Sequence, residues 1–296
     1  MATQEELKVI VDIPQEEKEQ FDKLCKECRA KYIEKTDVLV DRIFEENSQY
    51  TQMLKEGKAS EVILEAREKV WQVFLIQEAD FNTHLMGELS SKLETPRDII
   101  EKLTQEHIIG KTGDELITAV RNVCGEYAGR VYPYIYALSL SNTNSRRSRS
   151  GSTFQNLIYK VYELLGYSYV SQKAVGKKVF EEAGLGKLVD SLLPGIEEFS
   201  KRRDKTVIGT MKTSLRERWQ EVIEEIQRTN IPSIYLLTLD DAITLPKVKQ
   251  MANHNVILVV PKGQAMKEGI DEMKNVISFE EYLYEEIPSH MSYWNK

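Results

Sequence analysis

In the N-terminal third of the chain, apolar residues recur at steps of three and four, the period of a helix that buries one face. Residues 16–35 set Phe21, Leu24, Cys25, Cys28 and Tyr32 on such a face. A second helix is predicted from Thr36 or Asp37 to Gly57, carrying Val40, Ile43, Phe44, Tyr50, Met53 and Leu54. A third starts near Ser60 and holds Ile63, Leu64, Val70, Trp71, Phe74 and Leu75. A fourth has Thr95 as N-cap and Pro96 at the first helical position, followed by Ile99, Ile100 and Leu103. The short connections predict an all-α domain over residues 1–110, with a boundary near Gly110–Gly113.

Past the aromatic cluster Tyr132–Tyr136 the pattern is interrupted. Residues 139–151, rich in Ser, Asn and Arg, are predicted as a loop, after which Ser152 or Thr153 caps a helix with Phe154, Leu157, Ile158, Val161 and Leu164. From there the pattern becomes α/β. Tyr167–Val170 and Gly186–Asp190 are strand candidates, the latter broken off by Pro194-Gly195. Lys205–Lys212, Ser233–Asp240 and Asn255–Pro261 are β-branched, apolar runs expected to be buried strands. A helix capped by Thr213 or Ser214 and running to about Arg228 follows the first of these, and another spans 245–252 before the last. A short final helix covers 278–285. The expected fold class is therefore α/β (α+β): a mixed sheet flanked by helices over residues 111–296, joined to the helical N-terminal domain.

Composition narrows the function classes. A 41% hydrophobic and 29% charged chain of 296 residues fits a globular protein, and no apolar run approaches the roughly 20 residues that span a bilayer. The first residues lack a signal-peptide pattern and there are only three cysteines, so no membrane contact and a reducing cytoplasmic location are expected. Cys25-x-x-Cys28 lacks the further ligands that zinc needs and falls on an apolar face, which favours core packing.

The net charge of −7 is unevenly distributed. Between Lys201 and Arg218 there are seven Lys/Arg against two acids, and between Asn142 and Gly151 three arginines and no acid. Such islands suit a nucleic-acid partner. Asn144, Arg146, Arg147 and Arg149 are candidate phosphate contacts, the alternative being a flexible linker. Arg216-Glu217-Arg218 lies where a helix begins, although cations are disfavoured there, and a broken local rule is a reasonable place to look for function. Adjacent antiparallel strands would bring Asp190 and Lys212 together at one edge of the sheet. A carboxylate to hold Mg²⁺ and a lysine to position water or stabilise phosphate charge are the minimal kit for phosphodiester hydrolysis. A turn-capping Asp190 and a solvated Lys212 are the simpler reading of the pair.

Asp190, then Lys212-x-x-x-Arg216-Glu217-Arg218, then Glu225 resembles the signature of type II restriction endonucleases that recognise CCGG and CC(N)GG sites. That group contains EcoRII, PspGI and BsaWI and lies within the PD-(D/E)xK nuclease superfamily. The resemblance covers roughly residues 142–261 and implies a restriction-endonuclease core. It makes Asp190 a metal ligand, Lys212 the catalytic lysine, and Glu225 a second acid and ligand that has migrated onto the following helix. Thr210 stands where the usual second acid would be. The resemblance further implies that Arg216 and Arg218 read guanine and Glu217 reads cytosine, pairings that match the donor and acceptor pattern of the major groove. Gln155 replaces a glutamate found in relatives, so it is either a weaker ligand or structural; Glu163 is the fallback.

The implied function is Mg²⁺-dependent cleavage of double-stranded DNA at a palindrome containing CCGG flanked by A/T pairs, as for BsaWI, leaving 5′ overhangs. CCWGG or CCNGG specificity is the alternative within the class. A homodimer is implied by the palindrome, with higher assembly possible through the helical domain, and a cognate DNA methyltransferase is implied in the same cell. Outside this class stand a non-catalytic DNA-binding protein, which would have no use for Asp190 and Glu225, and a helical scaffold with solvated basic islands.

Overall fold

The computed structural model describes residues 11–215, 218–229 and 231–294. Helices come first: α1 (Gln15–Tyr32), α2 (Thr36–Glu46), α3 (Gln49–Lys55), α4 (Ala59–Lys92), α5 (Glu94–His107), α6 (Gly113–Arg130) and α7 (Tyr132–Leu164). Six strands follow: β1 (Val170–Ser171), β2 (Ser191–Leu193), β3 (Val207–Lys212), β4 (Ile234–Thr238), β5 (Val256–Val260) and β6 (Val276–Ser278). Contacts divide the chain into two compact units, one of residues 1–35 and 71–148, the other of 36–70 and 149–296. The divisions fall inside α4 and α7 and differ from the boundary expected near residue 110.

The first unit is helical. Phe21, Leu24, Cys25 and Cys28 of α1, at steps of three and four, share a core with Phe74, Phe81, Leu85 and Leu89 of α4, Ile99 and Leu103 of α5, and Tyr134 and Leu138 of α7. Burial pushes the Cys25 thiol up to about 12, so it packs as a small apolar group. Thr95 is not the N-cap of α5, which begins one residue earlier, at Glu94. Its N–H and hydroxyl instead donate to the buried Glu17, at 2.9 and 2.7 Å, where the Tyr134 hydroxyl also donates at 2.7 Å. A carboxylate from another helix thus satisfies one of the N–H groups that the first turn of α5 leaves without an intrahelical partner.

The second unit holds the sheet, in the order β1-β2-β3-β4-β5-β6. β1, β2 and β3 pair antiparallel; β3 to β6 pair parallel. Parallel neighbours need crossovers; the first two contain the helices that we label α8 (Arg218–Thr229), between β3 and β4, and α9 (Leu245–Ala252), between β4 and β5, and the third, from β5 to β6, contains only the short helix Lys262–Ala265. Trp219, Val222, Ile223 and Ile226 of α8 are buried at helical spacing and share a core with Ile208, Leu236, Val248 and Leu258. Phe154, Leu157, Ile158, Val161 and Tyr162 of α7 are buried in the same unit, where Tyr162 meets Tyr282 hydroxyl to hydroxyl at 2.7 Å and the Tyr235 ring of β4 lies tilted against Tyr282, centroids 5.2 Å apart. The final helical segment opens with a reciprocal cap between Ser278 and Glu281 and continues to Trp294, further than expected. Among the described residues no helix is long and apolar enough to cross a membrane.

Two elements differ from the sequence expectation in ways that bear on function. Residues 139–151 are no loop: α7 runs through them without a break. Ser139 and Thr143 donate back to the carbonyls of Ile135 and Ser139, at 2.9 and 3.0 Å, which keeps the hydroxyls from competing with the helix. Side chains of the first unit take up part of the remaining polarity, Arg29 donating to Ser141 and Asn142, and Asn142 to Asn82. Ser152 and Thr153 accordingly lie mid-helix and cap nothing. The other difference is that Gly186–Asp190 is not a strand; the strand is Ser191–Leu193, and Asp190 stands one residue before it. Pro194, which has no N–H to donate, follows its last residue.

Candidate active site

The antiparallel register of β2 and β3 sets Ser191 opposite Gly209, and the Asp190 N–H donates to the Gly209 carbonyl at 2.8 Å. This places the Asp190 side chain beside the last three residues of β3. Its Oδ2 accepts from the Met211 N–H at 2.6 Å and the Thr210 hydroxyl at 3.3 Å, and lies 3.7 Å from the Lys212 ammonium. Asp190 and Lys212 are thus brought together as the antiparallel pairing required, with side chains only 13% and 14% exposed.

The third wall is α7. Gln155 and Tyr159, four apart and so on one helix face, both reach Asp190: the Gln155 amide donates to Oδ1 at 2.8 Å and the Tyr159 hydroxyl to the backbone carbonyl at 2.9 Å. The Gln172 N–H donates to the same carbonyl at 3.0 Å. Burial is the main influence on the Asp190 carboxyl and holds its pKa above the ordinary range, while the Lys212 charge, the Met211 N–H and the Thr210 hydroxyl pull the other way.

Glu225 does not join this group through any hydrogen bond. It is buried on α8, where its carboxylate accepts from the Lys187 N–H and from the Arg228 guanidinium, the latter at 2.7 Å. Gly186 lies against it so closely that a Cβ there would fall 1.5 Å from Glu225 Oε1. Glu225 therefore anchors the segment that leads into Asp190. Among the described residues no three His, Cys, Asp or Glu side chains are arranged to hold a metal ion. Mg²⁺ nonetheless keeps several waters and is commonly held by one or two carboxylates together with substrate phosphates. The Asp190 carboxylate with the Gln155 amide beside it meets that minimum, provided the amide turns its oxygen inward.

Of the expected DNA-contacting residues, Arg216 and Glu217 lie outside the described residues, and Arg218 opens α8. Asn144, Arg146, Arg147 and Arg149 all sit within α7. Arg146 is committed to a forked ion pair with Glu78, its Nε 2.8 Å from Oε2, and the Glu78 side chain is 2% exposed. Asn144 and Arg147 are exposed on the helix, and Arg149 is half-buried.

Sequence reasoning missed Tyr159, the hydroxyl role of Thr210, and Asp240. The spacing from Gln155 to Tyr159 and the two-residue step from Thr210 to Lys212 along a strand were the available signals. Asp240 follows β4 and tethers the chain as it leaves β3, its Oδ2 accepting from the Leu215 N–H at 2.6 Å. Beside it lies a cavity of about 890 Å³ lined by Thr213, Ser214, Asp240, Pro261, Lys262 and Arg67, among others. It opens just past the carboxyl ends of the parallel strands β3, β4 and β5, where open α/β sheets bind ligands.

With this geometry in view, three likenesses bear on identity. The chain is 35% identical over 205 residues to the type II restriction enzyme SsoII of Shigella sonnei, a match covering 68% of this chain and 59% of that protein. Two solved structures of metal-depleted Ecl18kI with uncleaved DNA, in one case modified DNA, superpose with TM-scores of 0.74 and 0.76. Each is 27% identical and covers 94% of this chain and 86% of the other. The family model described as EcoRII C terminal matches residues 123–283, more than half of the chain and a span that includes Gln155, Asp190, Lys212 and Glu225. The chain belongs to the EcoRII C terminal family.

Proposed function

We propose that the protein is a type II restriction endonuclease, a site-specific deoxyribonuclease that hydrolyses double-stranded DNA with Mg²⁺. The observation that carries this reading is the Asp190–Lys212 pair at 3.7 Å, built across antiparallel strands in a chain of the EcoRII C terminal family. The DNA complexes of Ecl18kI and the likeness to SsoII support the substrate class.

Asp190, with Gln155 at its other oxygen, would hold the cation, which when bound supplies Lewis-acid stabilisation of charge building on the scissile phosphate. The Lys212 ammonium, anchored near Asp190 Oδ2, orients the attacking water and neutralises phosphate charge. The Met211 N–H and the Thr210 hydroxyl fix the Asp190 carboxylate in place before DNA arrives. Glu225 holds the 186–187 backbone in this structure, and a role as second ligand would require it to release the Lys187 N–H. Arg216 and Arg218 read guanine and Glu217 reads cytosine in each half-site, which calls for a two-fold homodimer on the palindrome. A partner methyltransferase would protect the host's own sites.

Within the class, membership of the EcoRII C terminal family supports CCWGG or CCNGG as the site over CCGG flanked by A/T pairs. The test is digestion of a fully sequenced phage DNA with Mg²⁺ and mapping of the fragment ends. Discrete ends at sites containing CC and GG are expected, and the aligned ends give the central and flanking bases. Selective binding with no cleavage under any divalent metal would refute the nuclease reading in favour of a DNA-binding protein.

A further inference from the structure

The chain leaves β3 at Lys212 and passes through Thr213, Ser214 and Leu215 before it reaches Arg216. These three residues belong to no helix or strand, yet they set the spacing between the lysine assigned to catalysis and the arginines assigned to base reading. Two interactions hold Leu215. Its side chain is 1% exposed in the core that also contains Trp219 and Val222. Its N–H donates to Asp240 Oδ2 at 2.6 Å, the short range of a charge-assisted bond.

Asp240 is itself fixed. Lys212 pairs with Thr238 in the parallel register of β3 and β4, so Asp240 begins two residues beyond the partner of Lys212. The Asp240 N–H donates to the Thr238 hydroxyl at 3.1 Å, and its Oδ1 accepts from the Ala242 N–H at 3.0 Å, closing a turn of its own. One oxygen therefore folds the β4 exit while the other grips the β3 exit. Removing the carboxylate takes away one of the two interactions that hold Leu215, together with the Ala242 contact, and none of the β3–β4 backbone hydrogen bonds.

We infer that Asp240 is a positioning residue for sequence discrimination: by holding the Leu215 N–H it fixes the point, three residues after Lys212, from which the chain enters the segment assigned to base reading. This rests on the restriction-endonuclease reading above. A displacement of an ångström at such a segment is enough to spoil paired hydrogen bonds to a base.

The experiment measures binding of the purified full chain to two DNA duplexes, one carrying the mapped site and one differing by a single G·C pair. Cleavage of both is then followed with Mg²⁺. For Asp240→Ala the ratio of affinities for the two duplexes should fall by about ten-fold, the size of losing one good base contact. KM for the mapped site should rise while kcat at saturating DNA changes less. Asp240→Asn, which keeps one carbonyl oxygen for Leu215 while its amide end cannot accept from Ala242, should recover most of the discrimination. A merely structural role would lower the melting temperature and weaken both duplexes equally, which would overturn the inference. So would undiminished discrimination in Asp240→Ala, with the nuclease reading left standing. Should Asp240→Ala fail to fold, Asp240→Ser, whose hydroxyl is too short to reach the Leu215 N–H, takes its place in the same measurement: a loss of discrimination is expected, and full discrimination with a normal KM would overturn the inference. A wild-type protein that neither discriminates nor cuts would bring down the nuclease reading, and this inference with it.

Discussion

Two cation–carboxylate pairs, one in each basic island, show how one kind of contact serves two ends. Arg146 on α7 meets Glu78 in a fork, with Nε at 2.8 Å and the terminal nitrogen closer still. Glu78 is 2% exposed, so the arginine neutralises a buried charge. Lys212 approaches Asp190 only to 3.7 Å, while Met211 N–H, Thr210 and Gln155 take the hydrogen-bonding positions on that carboxylate. The first pair is saturated by its own geometry. The second leaves an ammonium held in place with donors to spare, as the role proposed for Lys212 requires. A count of basic residues treats the two islands alike; the acceptor geometry separates them.

The largest effect should come from Lys212→Ala. Single-turnover cleavage is expected to fall by about a thousand-fold or more, with site-specific binding in a gel-shift titration largely kept. Unchanged turnover would remove Lys212 from the site and erase the contrast between the two pairs. Arg146→Ala should behave in the opposite way. It takes from the buried Glu78 its hydrogen-bonded cation, and urea unfolding should show a loss on the order of 2–3 kcal/mol, below the full value for a buried pair because the Arg146 side chain is 50% exposed and the Arg29 charge stays in reach. Adding Glu78→Gln should return much of that loss, whereas a variant as stable as wild type with weakened DNA binding would return Arg146 to the DNA contacts.

Gly186→Ala tests the anchor behind the site. The new Cβ would collide with Glu225 Oε1, so the carboxylate must give up the Lys187 N–H, and a destabilisation of about 1–3 kcal/mol is expected in the same unfolding assay. Normal stability and normal cleavage would show that Glu225 does not need that bond.

A pH series on metal-free protein sharpens the description of Asp190. Its folded pKa is raised above the unfolded value, chiefly by burial, so the folded state binds this proton more tightly. The ionised group therefore carries a stability cost at neutral pH that is relieved as pH falls through the folded pKa. Asp190→Asn abolishes that dependence. The melting temperature of the variant minus that of the wild type should accordingly grow from acidic to neutral pH, and a flat difference would contradict the burial account. The smallest effect is expected at Arg147, exposed on α7. If it touches phosphate, Arg147→Ala should lower the salt dependence of DNA binding by about one counterion, with no change in stability; an unchanged slope removes it from the interface.

How much could be read in advance differed from one element to the next. The strands Ile234–Thr238 and Val256–Val260 and the helix Leu245–Ala252 were legible because long apolar or amphipathic runs admit one burial pattern. The meeting of Asp190 and Lys212 was legible once two antiparallel strands were assumed, although the strand lies after Asp190 and not before it. Residues 139–151 were not legible as helix. Their local chemistry favours turns, and it is overruled by partners distant in sequence: Glu78 for Arg146, Asn82 for Asn142, and Arg29 for Ser141 and Asn142. Thr95 shows the same limit, since its N–H is answered by Glu17 from another helix.

The sequence by itself determined which residues could do chemistry, and through periodicity it determined the helical start, the buried strands and the alternation of α and β that follows. It could not determine which charged groups would be used up by one another. The tertiary structure decided that Arg146 neutralises Glu78, that Glu225 holds the Lys187 backbone, and that Gln155, Thr210 and Tyr159 converge on Asp190. The physical reason is range. Burial patterns are written in steps of two to four residues, whereas a carboxylate's partners are whatever donors the packed chain brings within about 3 Å, however distant in sequence.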